Sequence, residues 1–145
     1  MRLIVIAATV VVALILAAGA AADSIYHATR IPLQGVADAP GGGTVINIHA
    51  NGPVVYAHEV YLLDHAEPGI YQVMIHIHPA SQDCTGEVLD LPTATLETNA
   101  DGNGRADVKF TPADADGLRG LTVSAFWTVE GPASYTTDCS VITLD

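Results

Sequence analysis

A chain of 145 residues is long enough for one ordinary domain and short for two. Sixteen Asp and Glu stand against five Lys and Arg, a formal charge of −11 at neutral pH. Such a surface repels nucleic-acid phosphates and anionic lipid, which excludes both as partners.

The first 22 residues do not read as part of the domain. A positive Arg2 precedes an apolar run from Leu3 to Ala18, and the stretch ends in small residues. That is the layout of a secretory signal, with Ala18-Gly19-Ala20 and Ala20-Ala21-Ala22 both fitting an A-x-A-like cleavage site. The same residues, kept as a hydrophobic helix, are long enough to anchor in a bilayer, so a membrane enters only through residues 3–22 if the leader stays uncut. Either way the remainder is expected outside the cytoplasm, secreted or held at the cell surface.

Residues 23–43 read as an N-terminal arm in which Ile25, Arg30, Ile31 and Leu33 suit an edge strand, followed by a flexible Ala-Pro-Gly-Gly-Gly link. Residues 44–145 read as the domain, and no stretch in them carries a long helical period. TVINIHA (44–50) sets Thr44, Ile46 and Ile48 on one face and Val45, Asn47 and His49 on the other. VVYAHEVYLLD (54–64) is long for one strand and suits a bulge or bend. The Pro68-Gly69 turn then predicts a hairpin between that strand and IYQVMIHIH (70–78). ATLETN (94–99) and RADVKF (105–110) flank ADGNG, a strong local hairpin signal. TPADADGLRG (111–120) reads as a short helical turn that Thr111 caps. LTVSAFWTVE (121–130) and CSVITL (139–144) complete an all-β fold of about seven to eight strands, with turns at sandwich-like intervals. Phe126 and Trp127 alternate, so one of the two faces the core.

Cys84 and Cys139 are the only cysteines. In an exported chain the default for such a pair is one disulfide closing a long loop, against a cysteine-ligated metal site as the alternative.

The stretch with most chemistry is YQVMIHIHPASQDC (71–84). Tyr71, Val73, Ile75 and Ile77 share one strand face; Gln72, Met74, His76 and His78 share the other, neighbours about 7 Å apart. Imidazoles suit zinc, and imidazoles with a thioether suit copper. His76 and His78 are therefore a candidate pair of copper or zinc ligands, with His49 and His58 on neighbouring predicted strands as the third and fourth. Glu59 and Asp64 are available as oxygen donors. The plain alternative is a set of solvent-facing strand histidines. Asn99, Asp101, Asn103 and Asp107 alternate like calcium ligands but lack the distal bidentate Glu, and the hairpin explains them as well. No serine sits in a nucleophile-elbow context, and no catalytic residue is assigned.

His76-Ile77-His78, the cysteine shortly after, and a last strand opening Cys139-Ser140-Val141-Ile142 resemble the copper/zinc superoxide dismutase-like sandwiches. That resemblance implies a β-sandwich, immunoglobulin-like or dismutase-like, with His76 and His78 as copper ligands and a bridge from Cys84 to Cys139. The family's zinc-loop histidines and its late copper histidine would fall after Cys84, where this chain has none. The expected function is accordingly a non-catalytic binding or structural module, partnered by copies of itself or by another surface protein. Copper or zinc binding is the first alternative and a degenerate dismutase the second.

Overall fold

The computed structural model describes residues 26–50, 57–111, 117 and 121–143. Among these the fold is all-β, in nine strands: β1 (Tyr26–Gly35), β2 (Gly42–Ala50), β3 (Ala57–Asp64), β4 (Ile70–His78), β5 (Leu89–Glu97), β6 (Gly104–Phe110), β7 (Thr122–Glu130), β8 (Ser134–Thr136) and β9 (Ser140–Thr143). The leader lies outside the described residues, as does most of the helical turn expected over 111–120.

Every pairing is antiparallel, and the strands form one sheet in the order β5-β4-β7-β8-β1-β2-β3-β6, with β9 continuing beside β7. The sheet is nearly closed. Its halves, β5-β4-β7-β8 and β1-β2-β3-β6, are joined at one side where β8 meets Gln34 and Gly35 of β1. At the other side β5 and β6 form no ladder: the hairpin expected around ADGNG is reduced to a tight turn whose single Thr98–Gly104 bridge joins the halves, because β5 pairs with β4 and β6 with β3. Alternation drives the closure, because each strand turns one apolar set inward. Tyr71, Val73, Ile75 and Ile77 of β4 meet Val45, Tyr61, Val123, Trp127 and Leu96 in a single buried cluster. The segment read as an arm supplies β1, which pairs with β2 along its length from Tyr26 to Gln34 and inserts Ile31 and Leu33 into that core.

The hairpin expected between residues 54–64 and 70–78 does not form. β3 pairs with β2 and β6, whereas β4 pairs with β5 and β7, so residues 65–69 carry the chain from one half of the sheet to the other. The reason is local. His65 takes a positive φ of 53°, Ala66 enters the core, and its amide donates to Gly102 O at 3.0 Å. Gly102 itself has φ 77°, and a Cβ there would meet Ala66 O at 1.9 Å. Only glycine lets the crossover and the β5–β6 turn approach so closely.

Cys84 and Cys139 are disulfide-bonded, with Cα atoms 5.9 Å apart and a sequence separation of 55. The bridge ties the segment after β4 to the approach of β9. A loop of that size predicts about 4 kcal/mol of stabilisation from restricting the unfolded chain. Reduction should therefore lower the melting temperature by on the order of 10 °C. An unchanged melt in reductant, or two free thiols by mass spectrometry of the native protein, would contradict the bridge.

Candidate functional site

His76 and His78 point outward from β4, as strand alternation requires once Ile75 and Ile77 are in the core. Across the β4–β7 ladder they face Phe126 and Ser124. The Phe126 ring stacks on His76, with centroids 4.5 Å apart and planes 15° off parallel, and lies 6.0 Å from His78. His76 is fully engaged: its Nδ1 lies 2.6 Å from Asp90 Oδ1 on β5, and its Nε2 lies 2.9 Å from Thr128 Oγ1 on β7. A carboxylate only accepts, so Nδ1 donates to Asp90, and in the neutral ring Nε2 then accepts the Thr128 hydroxyl.

His78 is the opposite case. It is 5% exposed, and neither ring nitrogen has a hydrogen-bond partner. The following turn folds back over this end of the strand. Ser81 N donates to His78 O at 3.5 Å, and Cys84 N donates to the buried Ser124 Oγ at 3.0 Å, while the disulfide holds Cys84 in place at a positive φ of 56°. Within the turn, Asp83 Oδ1 accepts from the Ser81 and Thr85 hydroxyls, at 2.6 and 2.7 Å, and these bonds hold its carboxyl below the ordinary value.

The other two expected ligands sit elsewhere. His58 faces outward from β3, in the other half of the sheet, with Nε2 3.1 Å from Asp107 Oδ2. His49 lies in β2 opposite Ala57, again in that half; its side chain is outside the described residues. The structure thus brings His76 and His78 together and does not bring His58 to them. Among the described residues no three His, Cys, Asp or Glu side chains form a group able to hold a metal. Two of the four calcium-like side chains, Asn99 and Asn103, are spent on the β5–β6 turn, and Asp107 is paired with His58. Asn99 Oδ1 accepts from the amides of Asp101 and Asn103, and Asn103 Oδ1 accepts from His65 N. His65 is exposed beside Asp64, next to a broad concavity of about 790 Å³ between β2, β3 and β6.

A second cluster lies inside the sheet. Glu59 is 1% exposed, on the same inward row as Tyr61 and Leu63. Its Oε1 accepts from Asn47 Nδ2 at 2.8 Å; its Oε2 accepts from Trp127 Nε1 at 2.9 Å and from the Tyr61 hydroxyl in a short bond. Burial pushes the Glu59 pKa up, and the bonds from Tyr61, Trp127 and Asn47 pull it part of the way back. The sequence marks Glu59 only as an oxygen donor; nothing in HEVYLLD says which strand face turns inward.

No protein-family model, curated protein or solved structure matches the chain. Its site is therefore read from its own geometry. The Glu59 cluster is an interior clamp whose carboxylate oxygens are met by three protein donors; the His76–His78 face sets two imidazoles side by side on one strand.

The native state holds the Glu59 proton more tightly than the unfolded chain does. Its stabilising contribution is complete below the ordinary carboxylate pKa and is lost as pH rises through the raised native value. Thermal melts between about pH 4 and 8 should show the wild type losing stability relative to Glu59→Gln as pH rises. A difference independent of pH would contradict this. Glu59→Ala, which strands three buried donors, should cost about 3 kcal/mol in denaturant unfolding.

Proposed function

We propose that the chain is an extracytoplasmic, disulfide-stapled β-sandwich, of immunoglobulin-like or dismutase-like type, acting as a non-catalytic binding or structural module. The observation that carries this reading is the engagement of His76. Both of its nitrogens are used within the protein, on Asp90 and Thr128, and the ring is stacked on Phe126. A histidine held this way stiffens a surface and offers no lone pair to a reacting group. The disulfide is compatible with an oxidising compartment, where such bonds persist, and supports the secreted or cell-surface assignment.

One observation favours a second reading, copper or zinc binding. The buried His78 ring has two unpartnered nitrogens, and a buried polar group without a partner costs free energy that a ligand would recover. In that reading His78 is the principal ligand. His76 would join by exchanging its Thr128 bond for the metal while Asp90 keeps the ring oriented, as carboxylates do for metal-bound histidines.

Copper titration followed by EPR separates the two. The module reading predicts equally weak, non-stoichiometric binding by wild type and by His76→Ala/His78→Ala. A saturable one-to-one signal lost in His78→Ala would overturn it in favour of the metal reading. Superoxide consumption by the copper-loaded protein above the rate of free copper would instead support the dismutase alternative.

A further inference from the structure

The basic residues described in this acidic chain are gathered on one surface. Of its five Lys and Arg, the three within the described residues are Arg30, Arg105 and Lys109. All three lie on the outer face of β1-β2-β3-β6, because Ile31, Val45, Tyr61 and Ala106 turn toward the core and their neighbours turn out. The register sets them around an apolar middle. Arg30, Ile46, Val60 and Asp107 form one row across the four strands. Lys109 closes the next row beside His58 and Ile48, and Arg105 closes the row on the other side beside Leu62. Val60 is 5% exposed although it is not in the core cluster, so its outward neighbours Ile46, Ile48 and Leu62 already form a patch around it. Asp107 is the one acid in these rows and is paired with His58. On the other face Asp90 is likewise paired with His76 and Glu130 accepts from Ser134, while both faces keep their exposed charges of opposite sign.

The other outer face is the complement. β4, β5, β7, β8 and β9 contain no Lys or Arg. Their outward positions carry Asp90, Glu97 and Glu130 around half-buried Met74 and Phe126, with Val141 54% exposed at the margin.

We propose that the protein assembles head to tail, the outer face of β1-β2-β3-β6 in one copy docking on the outer face of β5-β4-β7 in the next, with Arg30, Arg105 and Lys109 set against Asp90, Glu97 and Glu130. This rests on the module reading and names its partner. A net charge of −11 opposes contact between two copies in general, and a pairing that sets basic positions against acidic ones offsets part of that repulsion where like-charged faces cannot. Two different faces make a heterologous contact, which extends into chains rather than closing as a dimer. Four strands about 4.8 Å apart and roughly 25 Å long give roughly 500 Å² per copy, near 1,000 Å² in all and at the lower limit for a specific interface. The association is therefore weak and concentration-dependent.

Sedimentation equilibrium of the full chain, over rising concentration, tests it with two charge-reversed forms, Arg105→Glu/Lys109→Glu and Glu97→Lys/Glu130→Lys. These substitutions are at exposed positions, and circular dichroism melts establish that each form is folded. Wild type should rise past about twice the monomer mass without a plateau. Each variant alone should stay monomeric, and an equimolar mixture should recover the wild-type rise. A monomeric wild type, variants that assemble like wild type, or a mixture that stays monomeric would each overturn the proposal. A monomeric wild type that binds polyglutamate, with binding lost in Arg105→Glu/Lys109→Glu, would reassign the face to an acidic polypeptide. None of these outcomes bears on the copper titration, so the docking surface and the module reading fail separately.

Discussion

A carboxylate buried between the two halves of the sheet sets the position of much else. Glu59 sits on β3, yet one of its three donors, Trp127, comes from β7 on the opposite half. A buried charge is tolerated only when its lone pairs are met, and here Asn47, Tyr61 and Trp127 meet them. Directional bonds of this kind fix which residue of β7 lies over which residue of β3, something apolar packing alone leaves looser. With Trp127 fixed inward, its neighbours Phe126 and Thr128 must face outward. They are the two β7 residues that stack on and hydrogen-bond to His76. The interior clamp and the exterior histidine face are thus two sides of one strand.

Local chemistry was legible in the sequence and long-range pairing was not. The alternation of Tyr71, Val73, Ile75 and Ile77 against His76 and His78 appears in the structure as read, because a period of two needs no knowledge of the partner strand. The bridge followed from having two cysteines and nothing else to pair them with. The ADGNG turn followed from a glycine that accepts positive φ, whereas the hairpin expected across it did not form, since β5 and β6 each pair with another strand. The crossover from β3 to β4 is not legible, because Pro68-Gly69 announces a turn without saying which half of the sheet the chain enters next. The three-residue β8 was too short to show any period.

Glu59 illustrates a different limit. In β3 the inward row is Ala57, Glu59, Tyr61 and Leu63, and the outward row is His58, Val60 and Leu62. Each row mixes apolar and polar residues, so hydrophobicity cannot choose between them. The choice is made by Asn47 and Trp127, twelve and sixty-eight residues away. The segregation of charge is hidden for the same reason: Arg105 and Lys109 share a face of β6 by alternation, but Arg30, far away in sequence, joins them only through the register of β1, β2, β3 and β6.

Trp127 is the only tryptophan in the chain, so its indole N–H gives a single NMR signal. If Glu59 holds the two halves together, that proton should exchange with deuterium only through global unfolding, and its resonance should shift in Glu59→Gln. Exchange of the indole N–H at the rate of an exposed indole, in the folded protein, would contradict the account.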